Sequence, residues 1–460
     1  MTKTAQAATV AAISTALAPG GIGVIRISGT DALTVGDRVF RSISGDTLTA
    51  AAGYTCRFGH VCAENGDVLD ECVATVFRAP HSFTGEDVAE LSCHGGLFVL
   101  QSVLEAVLKA GARPAGPGEF TRRAFLNGKM DLAEAESVMQ LISAKGREAA
   151  KAARAGQDGT LSRKIQTIRG DLVDCAAHLA AWADYPDDDI PQVDETMLKT
   201  RFAAGKEALT ALLKSFAGGK ALREGVRTVI AGRPNAGKST LMNLLAGENR
   251  SIVTEIPGTT RDVVEETVIF AGVPLRVADT AGLRETADTV EKIGVEAAKA
   301  RLASAELVFA VFDGSAPLGE DDFALTQAVG DTPCVAVLNK SDLPGKADVS
   351  ALSGRFAEVV KLSAATGDGL PDLEEAVRRV LNTAELDPAG GILFTERQRA
   401  DAEEALQYLT EAETALLSGM TLDAVTVSLE AAIAALMELT GERVSDAVVD
   451  SVFEQFCVGK

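Results

Sequence analysis

The sequence is short of positive charge, and this shortage limits what the chain can bind. It contains 44 Lys and Arg residues against 65 Asp and Glu residues, so its formal net charge is −21. A chain with this charge repels polyanions over most of its surface. Any contact with RNA therefore requires a local basic surface or a partner protein.

Cysteine and histidine are also sparse, and apolar runs are short. The seven cysteines are scattered without a C-x-x-C pair, and there are four histidines. The sequence therefore predicts neither a disulfide framework nor a zinc site, and it favours a reducing, cytoplasmic compartment. No apolar run approaches the ~18 residues of a membrane span. The apolar stretch Ala7–Ala18 has one preceding Lys and continues into a strand-like segment, so a cleaved signal peptide is not expected.

The N-terminal part of the chain mixes short strands with turns. At 460 residues, the chain is long enough for roughly three domains. Runs of β-branched residues at 23–27, 73–77 and 88–91 predict strands, and 98–110 predicts a helix. Residues 1–122 are therefore expected to form an α+β domain.

The rest of the chain alternates between helical and α/β patterns. Residues 123–220 have helical apolar spacing, which Gly218-Gly219 is predicted to end. Residues 221–384 alternate strands with helices, and this alternation predicts a doubly wound, mostly parallel sheet. The predicted strands are 226–231, 267–270, 273–278, 307–312, 334–339 and 359–362.

The C-terminal part, residues 385–460, is expected to be helical. A linker is predicted at 382–391, and helices are predicted at 395–417 and 422–456. Their apolar stripes are too narrow to form a core alone, so we expect them to pack with the helices of 123–220. The α/β unit would then be an insertion in one discontinuous helical domain.

A phosphate-binding loop stands at the start of the α/β unit. Residues Gly232-Arg-Pro-Asn-Ala-Gly-Lys-Ser239 match G-x-x-x-x-G-K-[ST], between a predicted strand and a predicted helix. Its glycines let backbone N–H groups face phosphate oxygens at a helix N-terminus. Lys238 brings a positive charge to the β- and γ-phosphates, and the Ser239 hydroxyl is a ligand for Mg²⁺.

Three later segments select guanine and the γ-phosphate. Asp279-Thr-Ala-Gly282 ends a strand, where Asp279 supports the Mg²⁺ shell and Gly282 N–H meets the γ-phosphate. Asn339-Lys-Ser-Asp342 ends another strand, and the Asp342 carboxylate can accept both N–H groups of the guanine Watson–Crick edge. Ser363-Ala364 offers a backbone N–H to guanine O6. Together these segments predict a GTP site.

The residue that orients the attacking water in Ras-like enzymes is missing. Leu283 follows Asp279–Gly282 at the position where those enzymes have Gln. Hydrolysis must then depend on another carboxylate, a cation or a second subunit.

Several further segments resemble one family. They are Gly21-Ile-Gly-Val-Ile-Arg-Ile-Ser-Gly29, Phe83-Thr-Gly-Glu-Asp-Val88, Cys93-His-Gly-Gly96, Gly118-Glu-Phe-Thr-Arg-Arg-Ala-Phe-Leu-Asn127, Gly258-Thr-Thr-Arg-Asp262 and Phe456-Cys-Val-Gly-Lys460. With the Gly232 loop, they make the whole chain resemble the MnmE (TrmE) family of tRNA modification GTPases. That family usually ends in Cys-Ile-Gly-Lys, and Val458 replaces the Ile here.

The resemblance implies a fold, a reaction and partners. It implies a homodimer formed through N-terminal domains similar to tetrahydrofolate-binding modules, with a Ras-like GTPase domain inserted in a helical domain. With the FAD-containing partner MnmG, in a heterotetramer, the family adds a carboxymethylaminomethyl or aminomethyl group to C5 of the wobble uridine, position 34, of certain tRNAs. The one-carbon unit would come from 5,10-methylene- or 5-formyl-tetrahydrofolate, and K⁺ and G-domain dimerisation would stimulate GTP hydrolysis.

The resemblance also assigns residues to these roles. It places K⁺ at Asn235, Thr254, Ile256 and Thr259, Mg²⁺ at Ser239 and Thr260, and folate at Arg26, Glu90, Lys129 and Lys460. The expected catalytic residues are Lys238, Thr260, Glu291, which would help to order the attacking water, and Cys457. The complete set expected at GTP is Asn235, Ala236, Gly237, Lys238, Ser239, Thr240, Thr254, Glu255, Ile256, Pro257, Gly258, Thr259, Thr260, Asp279, Thr280, Ala281, Gly282, Asn339, Lys340, Asp342, Ser363 and Ala364.

Two local features have competing interpretations. Cys457 stands four residues from the end, but Gly459, Lys460 and the absence of a preceding polybasic stretch do not fit prenylation. A packed cysteine at a helix end is its ordinary alternative. The basic stretch 145–169 is either a solvated helix face or a local surface that contacts RNA.

Three classes of function follow from the sequence: a GTP-hydrolysing tRNA-modifying enzyme, a ribosome-assembly GTPase and a nucleotide-gated scaffold. An assembly GTPase normally carries a basic RNA-binding appendage after its GTPase domain, whereas residues 395–456 lean acidic. This difference favours the first class. A nucleotide-gated scaffold, unlike the enzyme, would still support tRNA modification after GTP hydrolysis is lost.

Overall fold

The chain forms two compact units. A computed structural model describes residues 8–184, 195–247, 265–278, 302, 304–348, 350–353 and 355–460. One unit is formed by Met1–Met139 together with Met437–Lys460, and the other by Gln140–Leu436. Among the described residues, none of the helices combines the length and the apolar character that a membrane span requires.

A mixed sheet forms the centre of the first unit. Its strands are β1 (Val10–Ile13), β2 (Ile22–Ser28), β3 (Phe40–Ser42), β4 (Thr55–Cys62), β5 (Val68–Phe77), β6 (Val88–His94) and β7 (Arg113–Pro114). They lie in the order β3-β4-β5-β6-β2-β1-β7, antiparallel except for the β1–β7 pair. Cys72, Ala74 and Val76 of β5 alternate with more exposed neighbours, as expected for a sheet with one face on a core.

The helices of this region lie between or after these strands, and the first two cover that buried face. They are α1 (Ala32–Val39), α2 (Leu97–Lys109), α3 (Glu119–Leu126) and α4 (Leu132–Ser143). Leu100, Val103 and Val107 recur at helical spacing on α2 and share one core with Ile25 and Leu91. The α+β character predicted for this region is confirmed.

The second unit starts with long helices. These are α5 (Arg147–Gln157), α6 (Thr160–Asp184) and α7 (Glu195–Glu224). The predicted end of the helical region at Gly218-Gly219 is wrong, because α7 continues through both glycines. A Cβ atom at Gly218 would lie 3.0 Å from a Leu386 methyl group, and one at Gly219 would lie 2.2 Å from the Leu393 carbonyl oxygen. These glycines permit close packing and do not end the helix.

A doubly wound sheet follows. Its elements are β8 (Val226–Ala231), α8 (Lys238–Ala246), β9 (Glu265–Phe270), β10 (Val273–Ala278), β11 (Leu307–Asp313), α9 (Glu320–Val329), β12 (Cys334–Asn339), α10 (Ser350–Ser353), β13 (Glu358–Lys361) and α11 (Leu370–Val380). The order is β13-β12-β11-β8-β10-β9, and only β9 runs antiparallel to its neighbour. Apolar cores on the two faces alternate along β12, with Val335 and Val337 in one and Ala336 and Leu338 in the other. The predicted parallel sheet is confirmed.

The C-terminal helices divide between the units. They are α12 (Glu396–Leu417), α13 (Leu422–Thr440) and α14 (Asp446–Glu454). In the second unit, Leu409 of α12 lies against Gly205 of α7, so this part of the predicted helix packing is confirmed. The prediction of one helix over 422–456 is wrong. Gly441 adopts a φ of +84°, which ends α13, and a Cβ atom there would lie 2.5 Å from Leu132 Cβ.

Candidate functional site

The predicted phosphate loop joins β8 to α8 and depends on two glycines. Gly237 has a φ of +97°, and a Cβ atom there would lie 2.1 Å from Asn339 Nδ2. At Gly232 an added Cβ atom would lie 2.4 Å from the Val311 carbonyl oxygen. The loop therefore needs glycine both for its turn and for its close approach to the neighbouring strands. The loop leads directly into the N-terminus of α8, where backbone N–H groups can bind anions.

Lys238 reaches back over this loop. Its Nζ donates hydrogen bonds to the carbonyl oxygens of Gly232 and Arg233, at 2.9 and 3.0 Å. Burial lowers the pKa of the Lys238 ammonium, since desolvation disfavours its charged form. An anion between Lys238 and the N-terminus of α8 would relieve this cost, as the polyphosphate of a nucleotide does.

Asn339 at the end of β12 connects the phosphate loop to the base-recognition loop. Its side chain is 2% exposed. Nδ2 donates to the Ala236 carbonyl oxygen, and Oδ1 accepts from the Ala364 backbone N–H, both at 2.9 Å. The two loops meet here because β8, β12 and β13 are parallel and end at the same edge of the sheet.

The side chain expected to read guanine is oriented by a neighbour. Asp342 Oδ1 accepts a hydrogen bond from Ser363 Oγ at 2.7 Å, and the carboxylate remains on the exposed side. Lys340 has a φ of +64° and pairs with Asp313 at 2.7 Å. Burial opposes ionisation of Asp313, but hydrogen bonds from Lys340 and Ser315 outweigh it and lower the pKa of Asp313.

The structure thus brings together one large part of the predicted GTP site. The described members at this edge are Asn235, Ala236, Gly237, Lys238, Ser239, Thr240, Asn339, Lys340, Asp342, Ser363 and Ala364. The predicted residues Thr254, Glu255, Ile256, Pro257, Gly258, Thr259, Thr260, Asp279, Thr280, Ala281, Gly282 and Glu291 lie outside the described residues. Ser239, Thr240 and Asn235 are exposed, so their side chains are accessible to a ligand.

A second candidate site lies in the first unit, where β2 and β6 pair. Arg26 and Glu90 stand opposite each other in this register, and Arg26 Nε donates to Glu90 Oε1 at 2.8 Å. The Arg26 guanidinium lies over the rings of Phe83 and Phe120, with Cζ 5.6 and 5.4 Å from their centroids. A cation, a carboxylate and two aromatic rings therefore meet at one place.

The last four residues return to this place. Pro117 and Val458 form an isolated β-bridge, and the Phe120 N–H donates to the Lys460 carbonyl oxygen at 3.1 Å. Burial lowers the pKa of Lys460, and the nearby charge of Arg26 lowers it further, while Glu90 acts in the opposite direction. Lys460 is therefore within electrostatic range of the Arg26–Glu90 pair, and the expectation that the C-terminus folds back to the N-terminal region is confirmed.

Three of the four residues expected at folate are gathered here. The fourth, Lys129, follows α3 and donates to the Pro80 carbonyl oxygen at 3.0 Å. Cys457 is exposed on the same tail, and its carbonyl oxygen accepts from the Gly118 N–H at 3.3 Å.

Sequence reasoning did not assign roles to some residues that shape this site. Phe83 and Phe120 face Arg26, and the 4%-exposed Arg123 donates to Glu86 and Glu119 at 3.0 Å. All four of Phe83, Glu86, Glu119 and Phe120 belong to segments that carried the family resemblance. Their positions in those segments are the signal that could have identified them as part of the site.

Comparisons with known proteins agree over the full length of the chain. Residues 9–129 match the family described as the GTP-binding protein TrmE N-terminus, and residues 132–457 match the MnmE helical domain. A tRNA modification GTPase MnmE of Lactococcus lactis subsp. cremoris is 43% identical over 100% of both chains. One of Symbiobacterium thermophilum is 45% identical over 98% of this chain and 99% of its own.

Among solved structures, the G domain of the T. maritima FeoB iron transporter covers 34% of this chain and 98% of its own, at 25% identity. Its TM-score of 0.26 is too low to support an inference. The full-length identities and the family matches, in contrast, show to which family the chain belongs. The chain belongs to the tRNA modification GTPase MnmE family, and its nucleotide site is that of a GTP-hydrolysing enzyme.

Proposed function

We propose that this GTPase, with an FAD-containing partner of the MnmG type, adds an aminomethyl-type group to C5 of the wobble uridine, position 34, of certain tRNAs. The one-carbon unit would come from a tetrahydrofolate. The observation that carries the proposal is the position of the tail Cys457–Lys460, which is hydrogen-bonded to the α3 start beside the Arg26–Glu90 pair.

The residues of the second site suit a folate. The half-buried Phe83 can offer a ring face to a flat heterocycle, and the Glu90 carboxylate can accept from its N–H groups. The fully buried Phe120 ring supports the Arg26 guanidinium from below the site. Arg26 and Lys460 are like charges in a half-buried setting, where a ligand carboxylate would offset their repulsion. Lys129 would contribute a further cation at the rim. Bound folate would supply the one-carbon unit, and Cys457 would act as a nucleophile or proton carrier beside it.

The phosphate loop suits two cations. The exposed Ser239 hydroxyl directly follows Lys238, and together with Thr260 it would hold Mg²⁺. Asn235 is exposed with a φ of +62°, and it would hold K⁺ together with Thr254, Ile256 and Thr259. A monovalent cation there would supply positive charge beside the phosphates, and Glu291 would help to order the water that Leu283 cannot orient.

Potassium should therefore stimulate GTP hydrolysis. We expect faster turnover in K⁺ than in Na⁺ at equal ionic strength, because an ion of suitable radius completes the charge around the phosphates and promotes pairing of two G domains. Steady-state phosphate release in the two salts measures this, with Asn235→Ala expected to abolish the difference. Equal turnover of the wild-type enzyme in both salts would remove K⁺ from the mechanism.

The remaining parts of the proposal concern assembly. We infer a cytoplasmic homodimer built through residues 1–122, with the helical domain divided into 123–220 and 385–460 around a G domain at 221–384. A heterotetramer with the MnmG-type partner would bring its FAD to the tRNA. The absence of a predicted dinucleotide-binding G-x-G-x-x-G motif in this chain supports the placement of FAD on the partner.

Mass spectrometry of wobble uridines in total tRNA tests the proposed function. A strain that lacks this chain should lose the modification, and the wild-type chain should restore it. Lys238→Ala should fail to restore it because phosphate binding is lost, whereas Lys199→Ala, an exposed lysine on α7, should succeed. An unchanged nucleoside profile in the deletion strain would contradict the proposed reaction.

A further inference from the structure

Helix α5 has one basic face and one packed face. Arg147, Lys151 and Arg154 stand at spacings i, i+4 and i+7, which places them on one side of a helix, and all three are exposed. The opposite side is buried and consists of small residues: Ala149, Ala152, Ala153 and Gly156. The helix is therefore held by close packing, and its cations play no part in that packing.

This helix lies in a region whose charge is opposite to that of the whole protein. Residues 145–169 carry seven cations and two carboxylates, a net charge of +5, which leaves −26 on the rest of a chain whose total is −21. A positive region on an acidic protein attracts polyanions locally while the remaining surface repels them.

Three of these seven cations are not used in ion pairs within the described residues. Lys145, Arg147 and Lys151 form no ion pair with any residue that the structure describes. Like charges at i and i+4, such as Arg147 and Lys151, destabilise a helix slightly. Local stability therefore gives no reason for their presence.

The surface continues onto the next helix. Arg154 pairs with Asp158 at 2.9 Å, and Arg163 on the first turn of α6 donates to the Asp158 carbonyl oxygen at 2.6 Å and to Thr160 Oγ1 at 3.1 Å. These contacts fix both guanidinium groups near the α5–α6 junction. A guanidinium group has five N–H donors, so each of these arginines keeps donors that can reach a phosphate.

The packed face of α5 connects this surface to the GTPase sheet. Ala149 and Ala152 share one apolar core with Val268 and Phe270 of β9 and with Val273 of β10. In the chain, β9 begins at Glu265, shortly after the segment Thr254–Thr260, and β10 directly precedes Asp279. The basic helix thus rests on the two strands that lead to the predicted γ-phosphate and metal-binding segments.

We propose that Lys145, Arg147, Lys151, Arg154 and Arg163, the α5 basic face, bind the phosphate backbone of the tRNA substrate. This inference rests on the proposed function, because it names where that substrate touches the chain. A lipid surface fits less well. Interfacial helices insert large apolar side chains between their cations, and none of the exposed large apolar residues in the described chain lies within 145–169.

The test is a salt titration of tRNA binding. The probe is a fluorescent in vitro transcript of a tRNA with uridine at the wobble position, bound to the full-length chain at several KCl concentrations. The double variant Arg147→Ala with Lys151→Ala removes two unpaired cations and places a good helix former at both sites. The control, Lys109→Ala with Lys199→Ala, changes the net charge equally on exposed faces of α2 and α7.

We expect the basic-face variant to bind about fivefold more weakly for each cation–phosphate interaction that it removes. The slope of log K against log salt should fall by about one for each such interaction. The control should bind as the wild type does, and both variants should keep the wild-type rate of GTP hydrolysis without RNA. Equal losses of affinity in both variants, or an unchanged affinity and slope in the basic-face variant, would refute the assignment.

Failure of the wild-type chain to bind the transcript would also refute it. That result would leave the proposed function to be judged separately by the wobble-uridine profile of the deletion strain. A lost modification together with absent binding would place the tRNA contact on the partner protein.

Discussion

At the scale of single residues, Asn339 is the connection on which the GTP site depends most. It joins the Ala236 carbonyl oxygen to the Ala364 N–H at the edge of the sheet. Asn339→Ala would leave two buried polar groups without partners, at a cost of about 1–3 kcal/mol each. We expect a lower melting temperature and a GTP affinity reduced by about tenfold, a change of ~1.4 kcal/mol. Thermal unfolding and titration with a fluorescent GTP analogue measure the two effects.

A matched variant distinguishes this connection from a general effect on the unit. Asn243→Ala alters an exposed asparagine on α8, so stability and GTP affinity should stay near the wild-type values. If Asn339→Ala also binds GTP normally, the two loops hold their geometry without this side chain.

Glu119 makes a pH-dependent contribution to the stability of the first unit. Its burial opposes ionisation, but hydrogen bonds from Arg113, the Gly116 N–H and Arg123 outweigh burial, and the pKa of Glu119 is lowered from 4.5. The stabilisation is therefore complete above the ordinary carboxyl pKa, and it is lost as the pH falls through the lower folded value. Glu119→Gln should reduce the free energy of unfolding by about 2 kcal/mol at neutral pH.

Urea unfolding of wild type and variant over a range of acid pH tests this sign. The difference in unfolding free energy should shrink as the pH falls, because the wild-type carboxylate becomes protonated. A difference that stays constant at all pH values would mean that the charge on Glu119 contributes nothing and that the variant loses only a hydrogen-bond acceptor.

At the scale of elements, the C-terminal tail depends on one glycine. Gly459 has a φ of +97°, and a Cβ atom there would lie 2.3 Å from the Ile13 carbonyl oxygen at the end of β1. Gly459→Ala should therefore displace the tail. We expect folate affinity to fall at least tenfold, which corresponds to ~1.4 kcal/mol, while GTP affinity is unchanged. Isothermal titration with 5-formyl-tetrahydrofolate and with GTP measures both.

The comparison variant for the tail is Gly45→Ala. Gly45 belongs to the same unit and also has a positive φ, +80°, but an added Cβ atom there meets nothing within 4 Å. It reproduces the backbone strain without the close approach, so it should bind folate normally. Similar folate binding by both variants and the wild type would show that the docked tail is not part of the ligand site.

Strands and helices differ in how well the sequence predicts their bounds. The predicted bounds of the strands Val226–Ala231, Val273–Ala278 and Cys334–Asn339 equal the observed ones, because these mainly apolar segments are bounded by turn residues. Gly218-Gly219 misled the prediction, since only the positions of Leu386 and Leu393 show that these glycines serve packing. Local patterns identify elements, but they do not show which surfaces will meet.

The same distinction applies to the two sites. The phosphate loop and the Asn339–Asp342 segment follow directly from motifs, because each motif and its supporting strand are continuous in sequence. The Arg26–Glu90 pair joins residues 64 positions apart, and it requires the β2–β6 register. That register is a tertiary property, so only family resemblance pointed to Arg26 and Glu90, and nothing assigned a role to the aromatic rings.

At the scale of the whole molecule, the two sites belong to different compact units. The described GTP-site residues lie in Gln140–Leu436, whereas Arg26, Glu90 and Cys457–Lys460 lie in the other unit. A substitution confined to the tail should therefore impair tRNA modification without impairing GTP hydrolysis. The exposed thiol of Cys457 is the group to change, because GTP hydrolysis requires no cysteine, whereas a nucleophile or proton carrier beside the folate would serve one-carbon transfer.

Cys457→Ser should keep GTP hydrolysis near the wild-type rate and lose wobble-uridine modification. Serine preserves the size of the side chain, but it is a much weaker nucleophile than a cysteine thiolate at neutral pH. Cys56→Ser changes another exposed cysteine of the same unit and should retain both activities. Both activities are measured on one purified preparation of each variant: GTP hydrolysis as phosphate release, and modification as the modified uridine formed with the partner. Normal modification by Cys457→Ser would mean that the cysteine only packs at the end of the tail, and the reacting group would then have to come from the folate site or from the partner.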